Sequence, residues 1–342
     1  MQTKHNPQTM QMGIHPQITQ ISQMAFNLWQ KNNKRNLWIS SQQPCHLWIA
    51  FLLCNLWAYA HAEDTRHYSV DAETKAATMT VGGKVCWTYS PTSEEGKPYF
   101  HPLAVPGTGE VLTWFRPADH KWHIGLWFTW KFINGVNFWE PDKDAERKIL
   151  SHTETCDADK VFVAKATLSY IAKGTEALRE ERVTRVVTQE NGNYTIEWDA
   201  TFTAQNGDAK LDCTPAKQNA SGIWASGGYA GLMWRFASNP PGTYTFTDTE
   251  GRTDAKTCGH ASPWIESAIT LPSGTKAKVR FTDHPDNPRY PNTWFSRHQP
   301  TALNNTGYNI LSTGLVFHEP LVLENGKPMR VRYTVTVERV AE

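Results

Sequence analysis

Beyond residue 62 the chain alternates apolar and polar residues with a period of two. Tyr194, Ile196, Trp198, Ala200 and Phe202 are interleaved with Thr195, Glu197, Asp199 and Thr201. Successive side chains of a strand point to opposite faces, so this pattern predicts a half-buried strand with one polar face. The stretch from Met329 to Glu338 has the same period. The segments from Ala77 to Val81 and Lys84 to Tyr89 flank Gly82-Gly83, and those from Leu178 to Gln189 and Tyr194 to Ala204 flank Asn191-Gly192. Both are hairpin signals, because such turns need residues that tolerate positive φ. Further strands are predicted from Glu110 to Phe115, Lys148 to Thr155, Lys160 to Ile171, Leu232 to Phe236, Gly242 to Thr247, Lys276 to Asp283 and Tyr308 to Phe317. The run from Ile124 to Phe132 is almost continuously apolar and predicts a strand buried on both faces. No long stretch has the helical period, and no repeat or low-complexity linker interrupts the pattern. The expectation is an all-β chain, a large antiparallel β-sandwich over residues 63–342. One domain suits this length, and two smaller ones remain open.

The first 62 residues read differently. They hold no Asp or Glu, and Lys31, Lys34 and Arg35 precede the apolar run from Leu47 to Cys54, which leads to Ala60-His61-Ala62. That order predicts a secretory leader cleaved after Ala62, with Met24 as an alternative start. The apolar run is shorter than the roughly 20 residues a spanning helix needs. An uncleaved anchor and a lipoprotein are the alternatives. The expected location is therefore periplasmic or extracellular, with no membrane span in the mature chain.

Charge and cysteines narrow the partners. Lys4, Lys31, Lys34 and Arg35 are the only basic residues in the leader, out of 34 in the chain, while all 33 acidic residues follow it. Residues 63–342 thus carry 30 basic and 33 acidic side chains, a net of −3. No basic face is implied, so nucleic acid is not an expected partner. Cys86, Cys156, Cys213 and Cys258 would remain after cleavage. They allow two disulfides in three pairings, or four buried thiols.

Candidate chemistry concentrates between Pro98 and Glu140. This stretch holds His101, His120, His123 and five of the chain's 15 tryptophans. Trp and His carry polar atoms that need partners when buried, so the mix suits a pocket for a polar ligand with apolar faces, such as a sugar. A Trp-rich core with histidines at its rim is the alternative. Asp119-His120-Lys121-Trp122-His123 enters the apolar run, which puts His123 at a strand mouth and His120 on a loop. A second polar cluster, from Asp283 to His298, supplies His284, Asp286, Arg289 and His298. A third is Phe317-His318-Glu319-Pro320. The three are expected to converge on one concave face. The stretch from Thr214 to Tyr229 is the most loop-like interior segment, a surface loop or a pocket wall. Zincin, nucleophile-elbow, phosphate-loop and dinucleotide signatures are absent, and no cofactor is expected. A metal held by His101, His120, His123 and a carboxylate is the alternative to acid–base work by His and carboxylate.

At these residues a resemblance enters. Lys97 to Leu103, Asp119 to Phe128, Asn134 to Trp139, Gly227 to Arg235 and Asp283 to Arg289 resemble a family of exported bacterial proteins that carries the automated name methane oxygenase PmoA. Trp122-His123 stands where that family's pattern has two adjacent histidines. The chain also resembles the galactose-mutarotase-like supersandwich, most directly at Pro320 to Lys327 before the last strand. That likeness implies a sugar or oligosaccharide ligand on a concave sheet. His123, His101 and His284 would transfer protons, assisted by Asp119 and Glu319. Arg289, His298 and His318 would contact hydroxyls, and Trp122, Trp127 and Trp139 would stack on the ring. An epimerase, lyase or hydrolase is the implied class. A non-catalytic sugar-binding protein and the metal-dependent oxygenase of the family's name are the other two readings.

Overall fold

The computed structural model describes residues 66–237, 243–299 and 307–340. The expected leader lies outside them. Two eight-stranded sheets dominate. The first runs in the spatial order Arg66–Val70, Ala77–Val81, Lys84–Ser90, Tyr99–Leu103, Leu126–Thr129, Gly231–Arg235, Tyr308–Thr313, Trp294–Gln299. The second runs Tyr244–Asp248, Trp264–Thr270, Lys276–Asp283, Pro328–Val340, Tyr194–Ala204, Thr175–Thr188, Val161–Ala172, Ala145–Asp157. Neighbours at the centre of both sheets are antiparallel. The expected all-β antiparallel sandwich is what the chain forms. The single helical turn among the described residues is the 3-10 turn Asp254–Thr257.

The sandwich closes because alternate residues of each sheet face the other. Phe128 meets Phe202 with ring centroids 5.3 Å apart, Trp87 meets Phe162 at 5.2 Å, and Trp234 meets Phe281 at 6.3 Å. Tyr194, Ile196, Trp198, Ala200 and Phe202 are all buried, as their period-two spacing predicts. One ion pair lies inside. Arg182 Nε donates to Glu180 Oε1 at 2.5 Å, the Tyr170 hydroxyl donates to Glu180 Oε2 at 2.7 Å, and both charged side chains are buried.

The outer faces of the two sheets differ, and this difference places the site. The second sheet's outer face carries cross-strand ion pairs: Arg185 with Glu197, Arg330 with Asp199 and Arg280 with Glu266. Such a face is solvated. On the first sheet Trp127, Met233, Phe295 and Ile310 belong to a second apolar cluster, separate from the main core, together with Ile124, Trp139, Cys258 and Phe317. Their chain neighbours Leu126, Phe128, Leu232, Trp234, Trp294 and Leu311 belong to the main core. Strand alternation thus gives the first sheet two buried faces.

Several expected elements come out differently. The segment from Glu110 to Phe115 is no ladder strand. It makes isolated bridges in turn to Ala104, Phe236 and Ile124, so no single neighbour fixes it. The apolar run after His123 is broken into Leu126–Thr129 and Phe132–Ile133. Gly125 bends it at φ 82, where an added Cβ would lie 2.2 Å from the Phe100 carbonyl oxygen. The strand from Tyr308 stops at Thr313, before Gly314. The polar cluster that ends at His298 runs into the strand Trp294–Gln299. All four described cysteines are free thiols, three of them buried.

Candidate functional site

The site is built on a tight turn. Arg116 N donates to the His123 carbonyl at 2.8 Å, His120 N to the Pro117 carbonyl at 3.0 Å, and His123 N to the His120 carbonyl at 2.9 Å. Arg116 fastens the turn from below through Glu95, at 2.8 and 3.1 Å. The turn folds His120 and His123 onto each other, with ring centroids 4.6 Å apart and planes 22° apart.

Asp119 joins two donors of this site. Its Oδ2 accepts from His120 Nδ1 at 2.5 Å and from Arg235 Nη2 at 3.1 Å. A carboxylate at pH 7 only accepts, so the proton sits on His120 Nδ1 and Nε2 is the nitrogen free to act. That Nε2 lies 3.5 Å from the Tyr308 hydroxyl. Arg235 is fully buried, with its guanidinium 4.3 Å from the Tyr308 ring centroid and 5.1 Å from that of Trp114. Its Nε and Nη1 have no partner among the described groups. Burial raises the Tyr308 phenol well above its usual range, so it remains a donor.

His123 lies one layer deeper. It is 2 % exposed, packs 5.1 Å from Trp127, and its Nδ1 has no partner. Burial first, then His120, Arg235 and Lys97, hold it neutral far below the usual histidine range.

The opposite wall is Glu140. Its Oε2 accepts from Lys131 Nζ and, at 2.7 Å, from Asn137 Nδ2. Lys131 is buried beneath Tyr229, 5.5 Å from that ring's centroid. His120, Trp122, Glu140, Tyr229 and Tyr308 rim the cleft, and the buried His123, Trp139, Met233 and Phe295 floor it. Its free volume is about 30 Å³, room for a water or one hydroxyl arm of a ligand.

The other expected site residues are distributed. His101 Nδ1 meets the Thr113 hydroxyl at 2.9 Å, and the ring stacks on Phe115 beside the cleft. Burial lowers it to about 4. Trp122 stands at the rim, Trp139 is floor, and Trp127 is wholly buried and offers no face to a ligand. His284 Nδ1 accepts from the Asp286 amide. Arg289 donates to the carbonyls of Leu315, Glu319 and Pro320, a clamp that leaves it structural. His298 bonds Asn309 and faces Phe246 of the second sheet. His318 and Glu319 line two neighbouring grooves, not the cleft. His120 and His123 thus line the cleft, while the histidines and charged residues of the other two polar clusters contribute nothing to its lining. Sequence reasoning missed Arg235, Tyr308, Tyr229 and Glu140. Arg235 and Tyr308 close a strand and open one, on the face of the second cluster, and the lone charge at the end of an apolar strand was the available signal for the first.

Among the described residues no group of three or more His, Cys, Asp or Glu is placed to hold a metal ion.

The sequence profile of a family described as "Family of unknown function (DUF6807)" matches residues 76–341. No curated protein matches the chain. Similar solved structures include the YeaD protein of Salmonella typhimurium, described as a mutarotase candidate. It has 8 % identity and TM-score 0.35, over 84 % of this chain and all of that one. A GalM/aldose epimerase homologue from C. elegans has 9 % identity and TM-score 0.31, over 81 % of this chain and all of its own. A heparinase III has 9 % identity and TM-score 0.33, over 81 % of this chain and 33 % of its own. Scores and identities of this size establish no shared activity.

Proposed function

We propose that this chain, which belongs to the DUF6807 family, is an exported carbohydrate-active enzyme that transfers a proton on a sugar ring or glycosidic derivative. The observation that carries this reading is the Asp119–His120 pair, with His120 Nε2 facing the Tyr308 hydroxyl in a cleft that has Glu140 on its far wall. A carboxylate behind an imidazole fixes its tautomer and stabilises the charged ring formed when Nε2 takes a proton. Tyr308 supplies a donor beside that nitrogen, and Glu140 supplies a second carboxylate. One hydroxyl or C–H edge of a ring enters the cleft, while Trp122 and Tyr229 at the rim offer apolar faces to the ring itself. His123 backs His120 and stays neutral.

The test is turnover and solvent proton exchange across a panel of mono- and disaccharides. His120→Gln is expected to lower the rate roughly 100-fold, the low end of a general acid–base contribution. Unchanged turnover in that variant would remove His120 from the reaction. Export predicts Glu63 as the first residue of protein isolated from its native host, and an intact leader in a cytoplasmic fraction would refute it. The second reading is a non-catalytic sugar-binding protein, favoured by the 30 Å³ free volume, which does not admit a whole ring. Binding retained in His120→Gln, with no turnover in either protein, selects it.

A further inference from the structure

Two grooves meet at the turn His318-Glu319, which lines both. One, of about 260 Å³, is lined by Asp212, Ala216, Trp224, Phe317 and His318. The other, of about 270 Å³, is lined by Arg289, Asn292, Thr293, Leu315 and again His318 and Glu319. Each is much larger than the His120 cleft. Trp224 and Phe317 pack into the same apolar cluster as Trp139, Met233 and Phe295, which floor that cleft.

The first groove is built around an indole. Phe317 and His318 meet Trp224 edge-on, at 5.4 Å and 89° and at 5.5 Å and 69°. Gly259, at φ 75, lets the ring lie against the backbone, since a Cβ there would fall 2.2 Å from the indole Cδ1. The same glycine's carbonyl accepts from His318 Nε2 at 3.1 Å, which leaves His318 Nδ1 as an acceptor. Asp212 and Glu319 add carboxylates, each paired with a cation, Lys210 at 3.0 Å from Asp212 and Arg289 at 3.4 Å from Glu319. Arg289, the cation of the second groove, spends its donors on three carbonyls. An aromatic platform ringed by acceptors, with no free cation in its lining, suits an uncharged polyhydroxylated ring and not an anionic one.

We propose that the Trp224–His318 groove binds further rings of a neutral oligosaccharide, an inference that rests on the sugar reading of the His120 cleft. Calorimetric titration with maltohexaose, cellohexaose, xylohexaose and chitohexaose, each against its monosaccharide, tests it. At least one hexaose is expected to bind at least about tenfold more tightly than its monomer. Trp224→Ala should cut that hexaose's affinity about tenfold, the range of one aromatic stacking contact, and leave monosaccharide turnover unchanged. Gly259→Ala, which drives a methyl into the indole, and His318→Ala should lower it in the same direction. The three variants guard against one that fails to fold, as judged by melting temperature. Failure of every hexaose to bind more tightly than its monomer overturns the proposal, as does full hexaose affinity in folded variants. Loss of the catalytic reading is separate: it shows as absent turnover with hexaose binding intact.

Discussion

His120 and His123 are three residues apart and stacked, yet the fold gives them different jobs. His120 is oriented by a carboxylate at the surface of a cleft, and His123 is sealed beneath it. His120→Gln is therefore expected to change stability by less than about 1 kcal/mol, and His123→Gln to lower it by roughly 1–3 kcal/mol through lost packing on Trp127 and His120, read from urea denaturation. Titration follows the same division. His101 and His123 are held below the unfolded histidine value near 6.5. Their contribution is complete above pH 6.5 and is lost as pH falls towards about 4, where folded His101 itself protonates. Asp283, raised by burial to about 6, works the other way and gains as pH falls from 6 towards 3.8. His152 and His260 are lowered with these two histidines and Glu154 is raised with Asp283, so between pH 7 and 5 the histidines outweigh the carboxylates and the melting temperature should drop. The drop should be smaller in His101→Gln, and an equal drop would exclude that histidine as a cause. In the sequence, His123 looks the better acid–base candidate because it adjoins the most apolar run. That run signals depth correctly. The sequence does not reveal that the turn hydrogen bonds of Pro117 and His120 lift His120 above it.

At the scale of elements, strands with clean alternation were legible. Lys276–Asp283 and Ala77–Val81 have the predicted ends, and Tyr194–Ala204 has the predicted buried face. Periodicity failed where a segment serves several neighbours, as from Val111 to Phe115, or where polar residues mask a strand, as in Trp294–Gln299. The segment from Thr214 to Tyr229 forms a two-stranded hairpin, and its residues line both the groove and the cleft. At Gly125 the space a side chain would need belongs to the neighbouring strand. With φ 82 and a Cβ position 2.2 Å from the Phe100 oxygen, Gly125→Ala should cost about 1–3 kcal/mol of strain and shift the turn that carries both histidines. Thermal melting of that variant checks it, and wild-type stability would contradict the clash.

At the scale of the molecule, the centre of the sandwich holds one feature that no pattern announced. Glu180 and Arg182 are two apart in Thr175–Thr188 and so share a face, the buried one. Arg182→Met leaves the carboxylate unpaired in the core and should cost about 3–5 kcal/mol, whereas Arg182→Met with Glu180→Gln should recover part of that loss. Denaturant midpoints of the two variants measure the difference. The order of the first sheet has a further consequence. Leu126–Thr129 pairs with Gly231–Arg235, and that strand pairs with Tyr308–Thr313. His120 and Asp119 precede the first of these, Arg235 ends the second, and Tyr308 begins the third. Pairings so distant along the chain close late in folding. During synthesis the ribosome has made both histidines long before the strand that completes their surroundings exists. The cleft therefore stays incomplete until the strand that begins at Tyr308 has been made.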